Sequence, residues 1–541
     1  MSNKFNEEKF IYTPAPKEKD AIPFWWCFPS TYQIGMASLG YLSLFRISDQ
    51  NKDVYPERIF TNTEKTTHKI SEVELAGFSF SFELDFLSIF KILEKYNISF
   101  KASDRTEGYP LIFGGGPVLT ANPEPYAEFF DFIITGEGEE IIPELVTAYK
   151  KIRHLSKKEK LIHLAQISGI YVPSMYNIEY HPDNTIKSFT PDIQEAQETV
   201  TRRCIMDLSK CIYSPILTEK SVFPNMFLIE TARGCPKRCR FCLASYLSLP
   251  ARYPDLEGIL NAIDTGLEYS NKIGLLGALI TEHPHFEKIC EYLLAKRQEK
   301  EFEISVSSLR IDKITPLIVK MLVEGGQRNT TIAIEAGSEQ LRKFINKNLS
   351  NEDILNGIKI ARENGLTGLK IYGIIGLPSE TEEDITELIN LMKEIKKENK
   401  GLKLTLSISS FVPKAHTPLQ WDKREKNKTL QDKLNYLQKE LNKAGILFKP
   451  TSLKWDYIQA VLSRGDRRLA PLLEKVYEYS GTLGSWGRAY KELTEEEKLD
   501  IPELDWYALR EIPYDEILPW DFIDTGLNRK TLEKEREKAY K

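Results

Sequence analysis

Cysteine is scarce in this chain and unevenly placed: there are seven in 541 residues, three of them within eight positions and four scattered. An odd, small number of thiols in so long a chain argues against a disulfide framework and predicts a reducing, cytoplasmic setting. Histidine is equally rare at seven, and none lies within thirty residues of the clustered cysteines, so a mixed Cys/His zinc site has no material. No long apolar run is present. The most apolar early stretch, AIPFWWCF, is too short to cross a bilayer, and MSNKFNEEKFIYTPAPKEKD has no apolar signal core. Nor is there an excess of either charge: 73 basic against 78 acidic side chains give a formal −5, with no general attraction toward nucleic acid. Short repeats and low-complexity tracts are missing as well. What remains is an ordinary globular composition, 41% hydrophobic and 28% charged, long enough for several domains.

Organisation is legible as two series of alternating strand and helix patterns. After an arm over 1–22, the first series occupies 23–180, with IPFWWCF, ELAGFSFSF, PLIFGGG and FFDFIITG as strands and LSIFKILEKY and EEIIPELVTAYKKI as helices. Such alternation predicts a Rossmann-like, doubly wound parallel sheet. The polar stretch HPDNTIKSFTPDIQEAQET breaks the periodicity and reads as part of a linker over 181–224. A second series over 225–445 repeats six strand and helix units, which predicts a partial TIM-type (β/α)6 barrel whose site lies at the carboxyl ends of its strands. Residues 446–541 read as a mainly helical accessory domain.

The first strand of the second series runs into ARGCPKRCRFCLA, which places Cys235, Cys239 and Cys242 at spacings of four and three residues. A closed zinc site wants four ligands, whereas three thiolates hold three irons of a four-iron cluster and leave the fourth open. These residues resemble the radical S-adenosylmethionine (SAM) superfamily, whose signature is C-x3-C-x-aromatic-C after the first strand of a partial barrel; Phe241 fills the aromatic position. The resemblance implies a [4Fe-4S] cluster on the three cysteines and SAM chelated at the open iron. It further implies reductive cleavage to a 5′-deoxyadenosyl radical and an electron donor such as flavodoxin or ferredoxin. Carried along the chain, it implies SAM contacts at Gly277, Thr281 and Glu282 in LLGALITEHPH and at Ser307 and Arg310 in SVSSLRID. Glu335 in IAIEAGSE, Gly376 and Pro378 in GIIGLPSE, and Val412 in SSFVPKAH complete that set. The familiar Gly-Gly-Glu is absent. His416 is a loop histidine that could face substrate.

Within the superfamily, the N-terminal half resembles the subgroup with a cobalamin-binding domain, through FPSTYQIGMASLGYLSLFRI, GFSFSFELDF and LIFGGGPVLTANPEPYAEFFDFIITGEGEE. The resemblance implies close approach of a corrin ring or its nucleotide tail at Ser79, Ser81, Gly114, Gly115 and Gly116. The D-x-H-x-x-G run that supplies a histidine to cobalt is absent, leaving two alternatives: cobalamin without a protein histidine, suited to methyl transfer, or a domain that keeps the fold alone. Methylthiotransferases need three further cysteines in the N-terminal domain, and this domain, 23–180, has only Cys27. The other reading of the chain is an iron-sulfur binding or sensing protein without turnover. RGDRR, with Arg464 and Arg467, is a candidate for an anionic substrate. The substrate itself is not legible.

Overall fold

IPFWWCF is apolar on both sides of its backbone, as an interior strand of a parallel sheet must be when helices cover both faces. In the computed structural model, which describes residues 8–209 and 211–541, it forms strand β1 (Ile22–Phe28). Residues 1–7 of the expected arm lie outside the described residues. The sheet is completed by β2 (Val54–Phe60), β3 (Leu75–Ser79), β4 (Leu111–Gly115), β5 (Phe132–Ile134) and β6 (Ile170–Tyr171), in the order β2-β1-β3-β4-β5-β6. Only β6 runs antiparallel. The order reverses at β1, and ligands of doubly wound sheets bind outside the carboxyl ends of the strands at such a switch point.

The stretch expected as linker opens with a strand, Ile186–Pro191, that pairs antiparallel with Tyr176–Tyr180 at the end of the expected first domain. The helical C-terminal segment packs onto the N-terminal sheet: Val461, Leu473, Trp486 and Tyr507 share one core with Phe24, Phe78 and Phe113. Phe522 stacks on Phe189 at 4.5 Å, so this position is a core contact.

RGDRR is part of the same junction and is a staple, not an anion site. Arg464 is buried and donates to the Asp422 and Arg510 carbonyls, while Arg467 pairs with the buried Glu124 at 3.1 Å.

The second unit is a curved, all-parallel wall in two parts. Strands β7 (Phe227–Ala232), β8 (Lys272–Gly277) and β9 (Glu303–Val306) form the first part. Strands β10 (Asn329–Glu335), β11 (Gly368–Ile375), β12 (Lys403–Ser410) and β13 (Leu447–Pro450) form the second. A bridge between Leu309 and Ile332 links them. The four-residue β13, beyond the expected boundary at 445, is too short to carry a periodic signal. Helices cover one face, where Ile229, Ile273, Ile304, Ile332, Ile371 and Leu406 are buried. Among the described residues no helix is long and apolar enough to cross a membrane.

Candidate functional site

Cys235, Cys239 and Cys242 lie on the loop that leaves β7, and the sequence shapes that loop closely. Gly234 has φ +75°, and a Cβ there would stand 2.3 Å from the Ser248 carbonyl oxygen, so only glycine fits. Arg233 and Arg252 exchange backbone hydrogen bonds at its base. On the far side the Arg240 guanidinium donates to the Lys343 and Phe344 carbonyls, and the Asn346 amide donates to those of Lys237 and Arg238. The loop is thus pinned to the segment that follows β10. Phe241 contributes to that fastening, packed beside Ala336, Leu341 and Leu377.

Cys235 and Cys239 are buried and Cys242 is half-buried, all three as free thiols. Burial pushes the Cys239 thiol up to about 12, with the nearby Lys347 ammonium acting in the opposite sense and Cys242, Glu335 and Cys235 adding to the rise. Burial also raises Cys242, with Cys235 and Glu335 again contributing. The three thiols and Glu335 therefore share one electrostatic environment. Among the described residues no three His, Cys, Asp or Glu side chains converge on a single ion position.

Glu335 ends β10 in the left-handed region, φ +67°, which turns its carboxylate toward this loop, where Lys347 meets it at 3.1 Å. Burial alone would lower the Lys347 ammonium; Glu335 and Cys239 carry it above its ordinary value. Lys347 is a residue that sequence reasoning missed, since its only trace is a polar turn, NKNLS. Arg310, expected beside SAM, spends its guanidinium on the Lys347 and Asn348 carbonyls and on Asp312 at 2.7 Å, so it shapes the lysine's turn. Glu282 pairs with Lys237 of the cysteine loop at 2.8 Å, and the Thr281 hydroxyl beside it is buried without a partner. Gly277 lies in register with Ala232, next to Gly234. Ser307 is exposed just past β9, and Pro378 is half-buried. Gly376, at φ +73°, donates its N–H to Glu380. Val412 is set apart from these, packed against the N-terminal core. His416 does not face an open site: it is buried, burial lowers it to about 3, and its Nε2 has no partner.

A cleft of about 440 Å³ opens at the switch point of the N-terminal sheet, lined by Ser79, Ser81, Gly115, Gly116, Trp26 and Tyr41 among others. Gly114 is not in it. Strand alternation turns that residue to the opposite face, where a Cβ would stand 2.4 Å from Leu119, so its smallness serves packing. A smaller pocket of about 250 Å³ adjoins the cleft through Gly40, Glu139, Glu230 and Arg233, and reaches Gly234 and Gly277. The boundary is crossed by ions. Arg233 of the barrel meets Glu139 and Glu230 at 2.8 Å and Glu137 at 3.3 Å, while Arg252 meets Glu137 at 2.7 Å.

Fold and site together define a two-unit α/β protein, a doubly wound sheet feeding an open parallel barrel whose first strand ends in a three-thiol loop. Residues 40–173 match the family described as the N-terminal region of radical SAM proteins, and residues 229–392 match the radical SAM superfamily. The chain belongs to the radical SAM superfamily and is a radical SAM enzyme; membership implies a [4Fe-4S] cluster and SAM. It is 28% identical to an uncharacterised protein of Methanocaldococcus jannaschii over 83% of this chain and 89% of that one. It is 24% identical to an uncharacterised methyltransferase of Pyrococcus horikoshii over 56% of this chain and 61% of that one. Among solved structures it is similar to the cobalamin-dependent SAM radical enzyme OxsB with aqua-cobalamin and SAM bound, at a TM-score of 0.47 and 16% identity, covering 91% of this chain and 64% of that one. The chain thus spans a little under two thirds of that structure's length.

Proposed function

We propose that this chain cleaves SAM reductively at a [4Fe-4S] cluster held by Cys235, Cys239 and Cys242, and then acts on an unactivated carbon of its substrate. The observation that carries the reading is one loop at a strand end that gathers three thiols, two buried and one half-buried, beside the Glu335–Lys347 pair. The donor set fits the group. Thiolates are what iron needs, burial alone opposes their formation, and cationic iron compensates. A cubane takes its thiolates singly, one per iron, so it does not require them to converge on one ion. When bound, the cluster supplies the electron that splits the sulfonium bond and yields an adenosyl radical.

The chain's own residues set the geometry. Lys347 offers a cation for the SAM carboxylate and Glu335 an acceptor for the amine or ribose, which suits a zwitterion because both signs are present and neither is stranded. Phe241 packs in the same apolar cluster as Leu377, the residue after the Gly376 turn. The electron comes from a small reduced carrier such as flavodoxin or ferredoxin. Anaerobic reconstitution with iron, sulfide and dithionite, followed by chromatography, tests the reading: 5′-deoxyadenosine and methionine are expected in equal amounts. A cluster that forms without any cleavage would leave a sensing protein instead.

A second reading, that the switch-point cleft receives a corrinoid for methyl transfer, is favoured by its position and its small lining at Ser79, Ser81, Gly115 and Gly116. No histidine stands in PSTYQIGMASLG, so the cobalt would have no protein imidazole from that loop. Incubation with hydroxocobalamin and gel filtration decides it by the visible spectrum of the protein fraction.

A further inference from the structure

All-parallel sheets are ordinarily covered on both faces, and closed barrels fill their interior with branched apolar side chains. The wall formed by β10–β13 does neither. On β11 the alternation buries Leu369, Ile371 and Ile375 under the helices, while Lys370 is half-exposed and Tyr372 is 40% exposed on the inner face. On β12, Leu404, Leu406 and Ile408 are buried, and Thr405, Ser407 and Ser409 face inward. Register aligns these residues across strands. Thr331, Lys370, Thr405 and the exposed Leu447 share one rung, and Ala333, Tyr372, Ser407 and Lys449 share the next.

The charges on this face do not balance. Its carboxylates are engaged: Glu335 with Lys347, Glu230 with Arg233, and Glu303 with Lys272. Lys370 instead donates to the Tyr372 hydroxyl at 3.0 Å and lies 4.6 Å from its ring centroid. Among the described residues no carboxylate pairs with Lys370 or Lys449. Two cations without a carboxylate partner, two strand spacings and one rung or about 12 Å apart, therefore stand on either side of Ser407, whose hydroxyl donates to the Lys449 carbonyl at 3.2 Å. Two such cations favour an anionic group over a neutral one.

We propose that this inner face, centred on Lys370, Tyr372 and Lys449, is an anion-recognising substrate site that takes a carboxylate or phosphate group of a small molecule. The word substrate rests on the radical-enzyme reading, but anion binding by this face can be tested apart from it. Full-length protein is titrated with inorganic phosphate, followed by 31P line broadening, and with succinate, followed by calorimetry. Wild type is expected to bind at least one probe, and Lys370→Met and Lys449→Met are each expected to weaken that binding tenfold or more. Both variants should still form 5′-deoxyadenosine with dithionite at the wild-type rate. Tyr372→Phe should weaken the same probe by a smaller factor. Preference for phosphate assigns a phosphoryl substrate, and preference for succinate a carboxylate. The proposal is overturned if wild type binds neither probe, or if both lysine variants bind as wild type does. Should the anion bind selectively while wild type forms no 5′-deoxyadenosine, the radical reading fails and the anion site stands. Lys449 lies exposed on the edge strand β13, so its variant keeps the test independent of any folding defect at Lys370.

Discussion

Lys347 is the residue on which the SAM reading can be tested most sharply. Its ammonium is paired with Glu335 beside Cys239 in a half-buried position, so removing it strands the Glu335 carboxylate and takes away the cation offered to the ligand. Lys347→Met is expected to weaken SAM binding, measured by equilibrium dialysis on reconstituted protein, by about tenfold to a hundredfold, which corresponds to roughly 1.5–3 kcal/mol for a hydrogen bond to a charged group. Lys347→Arg should recover part of the loss, and iron content should be unchanged in both. Unchanged binding by the methionine variant would remove Lys347 from the site. At this scale the sequence separates residue types better than it separates faces. Gly114 and Gly115 look equivalent in LIFGGGP, yet only one of them borders the cleft. His416 looks available in a loop and is sealed in the interior.

At the scale of elements, the loop after β7 depends on one backbone position. Gly234 combines a left-handed φ with carbonyl contact on its α-carbon, and a methyl group cannot be accommodated without moving the Ser248 carbonyl. Gly234→Ala is expected to cost about 1–3 kcal/mol and to lower iron uptake by the reconstituted protein, read by iron analysis alongside thermal unfolding. Gly401→Ala is a control for position, because φ is also left-handed there, at +89°, but nothing lies within 4 Å. It should lose stability alone and keep its iron. The elements themselves were largely legible, since strands under helices write an apolar period that survives any topology. The hairpin over 176–191 and the short β13 were not, because strands of four to six residues are too short to carry a reliable period.

Across the whole molecule, the two units and the C-terminal segment are tied by partly buried ions. Burial would raise the Glu137 carboxyl, but Arg252 and Arg233 hold it below its ordinary value. An acid whose folded value is lowered stabilises the fold fully above its unfolded value, 4.5, and that contribution is lost as pH falls through the lowered one. Urea unfolding of wild type is therefore expected to hold its midpoint down to about pH 4.5 from this source and to lose it below. Arg233→Met should lower stability by about 2 kcal/mol at pH 7, and the difference between the two proteins should shrink in acid as the carboxylates protonate. A difference that stays constant to pH 3 would show that Arg233 acts through packing alone.

The linear chain determined the two α/β units, the loop that carries the three thiols and the aromatic residue beside them, because apolar periodicity and a short cysteine spacing are local properties of the polymer. It left open which face each small residue meets, that Lys347 faces Glu335 across a twelve-residue excursion, that RGDRR fastens the C-terminal segment to Glu124 of the first unit, and that the barrel's inner wall carries lysines with no carboxylate partner among the described residues. Those facts arise from contacts between residues far apart in the chain, where direction, burial and the balance of charge exist only once the strands are in register and the units have closed on each other.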